Sequence, residues 1–221
     1  MIKYSVIPPT IISLPIVNSE ERFPVRRIYC VGQNYIEHVA EMGGDPKKST
    51  PIFFTKSRET IVQTGAVIPI PPLTNDLQYE VELVVAMESE CTIFSYGVGI
   101  DMTRRDQQRM AKQGGKPWDM AKNFDNSAPC SALMRNIHTP HLNNADIALT
   151  KNGEVMQSSN LNKMIWSVND ILKVLRQSVT LAAGDLIYTG TPHGVGSVVS
   201  GDTIIGTIDG LPSIEVSFIH G

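Results

Sequence analysis

The 221-residue sequence predicts a mainly β, α+β domain with two or three short helices. Three observations point there. Short runs rich in Val, Ile, Thr and Tyr recur along the chain and are closed by Gly, Pro or Asn. Asn152-Gly153 separates two such runs, Ile147–Lys151 and Glu154–Gln157, and is the strongest short hairpin signal present. Helical spacing is confined to brief segments, and neither an internal repeat nor a linker divides the chain.

In chain order, Val25–Val31 reads as a strand ending at Gly32, after which Asn34 caps a short helix, Tyr35–Met42, closed by Gly43. Ile52–Thr55 and Ala66–Ile70 read as strands, the second stopped by Pro71-Pro72. Tyr79–Met87 alternates, with Tyr79, Val81, Leu83 and Val85 on one face and Glu80, Glu82 and Val84 on the other. Tyr96–Ile100 is a further strand. Thr103-x-x-Asp106 has the form of a capping box opening a helix that runs to about Gln113 and stops at Gly114-Gly115. Ser167-x-x-Asp170 opens another, whose stripe is Ile171, Leu172, Val174 and Leu175. Leu186–Thr189, Thr203–Ile208 and Ile214–Ile219 complete the strands.

Composition removes several function classes. The chain is 42% hydrophobic and 19% charged, with a net charge of −3 and no basic block, which argues against a nucleic-acid or anionic-membrane surface. No apolar run approaches the ~18 residues that a spanning helix needs. Cys30, Cys91 and Cys130 are odd in number, widely spaced and without a CxxC pair, so they form no disulfide framework. A reducing, cytoplasmic location is expected. The apolar N-terminus is broken by Pro8, Pro9 and Pro15 and lacks a basic start and a small-residue cleavage site, so it is not read as a signal peptide.

Glu80 and Glu82 stand two apart on a strand and therefore share a face. Two like charges on a strand otherwise fit for a core repel unless something positive lies between them. Asp101 follows the strand Tyr96–Ile100, and three carboxylates at strand ends suit a hard divalent cation such as Mg²⁺. A solvated strand face with incidental acids is the other reading of this pattern. His38 and Glu41 lie i, i+3 on the expected helix, a spacing in which the carboxylate orients the imidazole as a general base, although a plain surface pair has the same spacing. Lys122 sits in the aperiodic stretch Pro117–Asp125, either as a surface-loop lysine or as a charge donor beside a metal. Thr189–Gly196 is a Gly-rich turn directly after a strand. It lacks the Gly-Lys-Ser/Thr ending of a phosphate loop and no Rossmann unit surrounds it, which leaves a backbone-lined carboxylate pocket or a plain turn. His138-x-x-His141 lies in a Pro- and Asn-rich loop without cysteine partners and is set aside as a metal site.

Five separated motifs carry a resemblance. They are Tyr29–Tyr35; His38–Met42; Tyr79–Leu83; Gly97–Thr103 with Arg105-Asp106; and Thr189–Pro192 with Gly194–Gly196. In this order they resemble the fumarylacetoacetate hydrolase superfamily from about Val25 to the C-terminus, leaving residues 1–24 as an N-terminal extension packed on a catalytic domain of residues 25–221. The subgroup most similar is that of the acylpyruvate hydrolases, in particular the fumarylpyruvate hydrolases of aromatic-acid breakdown, to which the segment from Arg104 through Pro117–Lys122 with Phe124-Asp125, Gly153-Glu154-Val155 and Met164-Ile165-Trp166 are similar.

The resemblance implies a mixed β-roll with a lid helix, a homodimer, a small 2-oxo acid substrate, and bound Mg²⁺ or Mn²⁺. It implies Glu80, Glu82 and Asp101 as metal ligands, His38 and Glu41 as the water-activating dyad, and Lys122 as the active-site lysine. Arg105, Gln108 and Thr191 fall on positions that hold the 2-oxo acid end. The reaction implied is hydrolysis of the carbon–carbon bond of an acylpyruvate, with oxaloacetate tautomerisation or decarboxylation as the alternative at the same site. A non-catalytic binding module would need no such dyad. The sequence departs from the family pattern at Gln33, where Arg is frequent, at Gln78-Tyr79, where His usually precedes Glu80, and in a shortened segment from Glu88 to Ser95.

Overall fold

A computed structural model describes residues 3–41, 43, 51–139 and 142–221. Its frame is a six-stranded sheet in the order Met134–Arg135, Ile93–Ile100, Val81–Met87, Asp185–Tyr188, Arg27–Gly32, Ile52–Lys56. A five-stranded sheet packs on it, in the order Glu154–Asn160, Asp146–Lys151, Thr203–Ile208, Ile214–Ile219, Ala66–Pro69. Helices are short and peripheral: Ile36–Glu41, Arg105–Gln113, Asp119–Lys122 and Val168–Leu175.

The alternation read from Val81–Met87 is real, but both faces are buried. Val81, Leu83, Val85 and Met87 enter the larger core with Ile147, Leu149, Ile204 and Val216 from the second sheet. Val84 and Ala86 enter a second core on the far side, with Cys30, Cys130 and Leu186. The hairpin Ser13–Pro15 with Arg22–Pro24 closes this second core through Leu14 and Phe23. Each fully buried Val or Leu contributes roughly 1.5–3 kcal/mol relative to exposure. Glutamates on such a strand therefore stand at the end of a hydrophobic wall and not on a wet face.

The structure corrects two local expectations. The strand expected over Tyr79–Met87 breaks at Glu80. Leu77–Tyr79 belongs to a small three-stranded sheet between Thr103–Arg104 and Gly196–Ser197, while Val81–Met87 belongs to the central one. At the corner the Val81 amide donates to Gln157 Oε1 at 3.0 Å, so a side chain replaces a ladder partner. The capping box expected at Thr103-x-x-Asp106 does not form. Thr103 is extended and paired with Gln78, and the Asp106 carboxylate receives Thr74 Oγ1 at 2.7 Å and the Asn75 amide at 2.9 Å, tying down the preceding loop instead. The Ser167–Asp170 box does form. Asn152 and Gly153 have φ of 53° and 86°, the two positive values that a type I′ hairpin requires. All three cysteines are free, and no helix among the described residues is long and apolar enough to cross a membrane.

Candidate active site

The break at Glu80 and the pairing of Val81–Met87 with Ile93–Ile100 assemble the three carboxylates. Val81 lies opposite Ile100 and the Asp101 amide donates to Glu80 O at 2.8 Å, so Asp101 is delivered beside Glu80 by backbone register. Glu80, Glu82 and Asp101 are 5%, 1% and 0% exposed, which discards the solvated-face reading. One oxygen from each lies within 4.8 Å of the others.

Cations surround two of the three. Lys122, on the one-turn helix Asp119–Lys122, donates to Glu80 Oε2 and Asp101 Oδ2 at 2.8 Å each and to Thr103 Oγ1 at 2.6 Å. Arg105 pairs with Glu80 Oε1 and braces itself on Gln78 and Gln108, both at 2.7 Å. Lys56 closes the back of the cluster, 2.9 Å from Asp101 Oδ1 and 3.1 Å from the Met102 carbonyl. Burial works against ionisation of Glu80, yet Lys122 and Arg105 hold its carboxyl well below the usual range. The Lys122 ammonium, also opposed by burial, is held above its ordinary value by Asp101 and Glu80.

Glu82 is the exception. Its one hydrogen bond among the described residues comes from the Gly190 amide at 2.8 Å, and burial followed by the charges of Asp101 and Glu80 pushes its carboxyl well up. Asp101 Oδ1 faces only the Lys56 ammonium, at 2.9 Å. An all-oxygen donor set with one under-compensated carboxylate fits a hard divalent cation.

The expected dyad is formed. His38 Nδ1 lies 3.1 Å from Glu41 Oε2, and Glu41 Oε1 accepts from the Gly194 amide at 3.1 Å. With Nδ1 committed to the carboxylate, Nε2 is left for the pocket. The Gly-rich turn thus uses backbone N–H groups on carboxylates, but on those of Glu82 and Glu41. His38, Glu80, Arg105, Gln108, Lys122 and Thr191 all line one pocket, closed on its outer side by Gln33, Phe54, Lys112 and Trp118. Thr191 Oγ1 accepts from Gln157 Nε2 at 2.9 Å. Of the expected lid helix, Tyr35–Met42, and the chain after it, residues 42 and 44–50 lie outside the described residues.

Residues 27–219 match the family model described as fumarylacetoacetate (FAA) hydrolase, C-terminal. The chain belongs to the fumarylacetoacetate hydrolase family. Within the family, it is 40% identical over 183 residues to the fumarylpyruvate hydrolase of Ralstonia sp., covering 78% of this chain and 95% of that one. It is 36% identical over 200 residues to the mitochondrial oxaloacetate tautomerase of Bos taurus, covering 86% and 90%. Among solved structures, the fumarylpyruvate hydrolase of Pseudomonas aeruginosa in complex with Mn²⁺ and pyruvate superposes with a TM-score of 0.96 at 37% identity, covering 99% of this chain and 100% of that one.

Sequence reasoning missed three supporting residues of this family site: Lys56, Gln157 and Asn34. Beyond the helix cap expected of Asn34, its side-chain amide donates to the Trp166 and Thr189 carbonyls at 3.0 and 2.7 Å, tying the start of the His38 helix to the closing turn. A lysine at the end of the apolar run Ile52-Phe53-Phe54-Thr55-Lys56 was the available signal for Lys56.

Proposed function

We propose that this chain hydrolyses the carbon–carbon bond of an acylpyruvate, a fumarylpyruvate-like 2,4-dioxo acid, giving pyruvate and a carboxylic acid. The observation that carries this reading is the 3.1 Å contact of Glu41 with His38, which lines one pocket with Glu80 and Lys122, Glu80 being clustered with Glu82 and Asp101. Likeness to fumarylpyruvate hydrolases in sequence and fold supports it.

Mg²⁺ or Mn²⁺ held by Glu80, Glu82 and Asp101 would supply Lewis acidity and a template for the substrate's carboxylate and 2-oxo oxygen. Arg105, Gln108 and Thr191 hold that end of the substrate. Glu41 keeps the His38 proton on Nδ1, so Nε2 takes a proton from water as the oxygen attacks the distant acyl carbonyl. The bond between that carbon and the methylene breaks, its electron pair goes to the pyruvate enolate, and the acyl carbon leaves as a carboxylic acid. Lys122 offsets the enolate charge until the methylene carbon is protonated. Water is consumed and nothing is oxidised.

A second reading, tautomerisation or decarboxylation of oxaloacetate, is favoured by the tautomerase relatives and by the 34% identity to the oxaloacetate decarboxylase of Dictyostelium discoideum over 197 residues, 84% of this chain and 90% of that one. One panel decides: fumarylpyruvate, acetylpyruvate and oxaloacetate with Mg²⁺, on the parent, His38→Ala and Lys122→Ala. Under the hydrolase reading His38→Ala lowers acylpyruvate cleavage by about 10²–10⁴-fold and affects oxaloacetate turnover much less. Lys122→Ala damages every activity, since each passes through an enolate. Parallel loss of all activities in His38→Ala would hand the site to the second reading. The chain acts in this reading as a cytoplasmic homodimer. The open groove lined by Leu73 and Val199, 84% and 63% exposed, supports a second copy, and sedimentation as a monomer would remove that part.

A further inference from the structure

The pocket runs outward from buried Glu80 and Lys122 to partly exposed Gln33 and Trp118 and to exposed Lys112. The inner cations belong to the carboxylate end of the pocket: Arg105 pairs with Glu80, and Lys122 with Glu80 and Asp101. Lys112, on the last turn of helix Arg105–Gln113, is different. Its ammonium sits 5.1 Å from the centroid of the Trp118 ring, and it pairs with no carboxylate of the described residues. A cation over an indole face is held without being neutralised, so its N–H donors stay available. Partial desolvation of the ammonium end lowers its proton affinity, and the positive charge of Arg105 lowers it further. An anion arriving there would relieve both.

Gln33 supplies the second observation. It is a non-glycine residue in the left-handed region, with φ of 63°, beside the same pocket. Such a conformation costs energy, of order 1–3 kcal/mol when strained, and persists where the surroundings impose it. Its side-chain amide makes no hydrogen bond among the described residues, which leaves a donor lining the same pocket as Lys112.

We propose that Lys112, seated on Trp118 in the pocket that Gln33 also lines, is the specificity-determining residue that receives the far carboxylate of a dicarboxylic substrate. The orientation, with the 2-oxo acid end at Glu80, Glu82 and Asp101, rests on the hydrolase reading above. A substrate ending in a methyl group would leave Lys112 unpaired and gain nothing from it, so the residue selects diacids over monoacids.

The test uses two saturated 2-oxo acids that offer no bond for hydrolysis, 2-oxoheptanedioate and 2-oxoheptanoate, titrated calorimetrically into the Mg²⁺-loaded protein. The parent should prefer the diacid by at least about tenfold, the scale of one charge-assisted contact. Lys112→Gln should reduce that ratio by about tenfold, Lys112→Arg should keep most of it, and added salt should erode it. Lys112 is exposed, so its replacement leaves folding intact. Equal binding of the two acids by the parent, or an unchanged ratio in Lys112→Gln, would overturn the assignment. Because the readout needs no turnover, the two readings fail separately. A Lys112-dependent diacid preference without acylpyruvate cleavage sinks the hydrolase alone, and cleavage without that preference sinks the Lys112 assignment alone.

Discussion

At the scale of single residues, the site is an unequal distribution of compensation. Glu80 has Lys122 and Arg105, Asp101 has Lys122 and Lys56, and Glu82 has a single backbone N–H. Removing one partner of a buried ion pair is costly because the other is left uncompensated, by about 3–5 kcal/mol. Lys56→Met should accordingly destabilise the protein strongly, whereas Glu82→Gln removes a carboxylate that the metal-free fold holds at a disadvantage. Chemical denaturation should find metal-free Glu82→Gln at least as stable as the parent, while the rise in stability that Mg²⁺ gives the parent is lost. A variant that is less stable than the parent without metal, or that is still stabilised by Mg²⁺, would contradict this account of Glu82.

The elements show what was legible and what was not. Period-2 alternation located Val81–Met87, and turn chemistry located the Asn152-Gly153 hairpin and the Ser167 cap, because each depends on neighbours in sequence. Motif order pointed to the three carboxylates, to His38 with Glu41 and to Lys122, which the fold brings together. The break at Glu80 was not legible, since Gln157, 76 positions away, satisfies the amide that makes the corner. The false capping box at Thr103 failed for the same reason: Lys122 and Thr74 compete for the oxygens that a local cap would have used. The closing turn has a conformational demand that can be measured. Gly190 has φ of 95°, and a Cβ there would lie 2.7 Å from Asn34 Cβ and 3.1 Å from the Val31 carbonyl oxygen. Gly190→Ala should therefore cost more than about 1 kcal/mol in denaturant unfolding and displace the amide that contacts Glu82, weakening Mg²⁺ binding in the same variant. Unaltered stability and metal affinity would mean that the turn is not under this constraint.

On the scale of the whole molecule, the proposed metal-ligand set joins parts that are otherwise distant in the chain. Glu80 lies at the corner between the small sheet and the central one, Glu82 on the central strand, and Asp101 at the end of its neighbour, while the Gly190 turn leads out of Asp185–Tyr188. Those central strands are also the wall between the two cores. A ligand that binds only the assembled site stabilises the folded state by RT ln(1 + [L]/Kd), about 2.7 kcal/mol at a hundred times Kd. Since the proposed ligands join the small sheet to the central one and stand on the wall between the cores, that energy should stabilise the entire domain and not a loop. Thermal unfolding should thus give one transition whose midpoint rises with Mg²⁺ and falls with EDTA, equally by far-UV circular dichroism and by the fluorescence of Trp118 and Trp166, both close to the site. If fluorescence responded to the metal while the dichroism midpoint stayed fixed, the site would be a local appendage, and the coupling of the carboxylates to the core would be wrong.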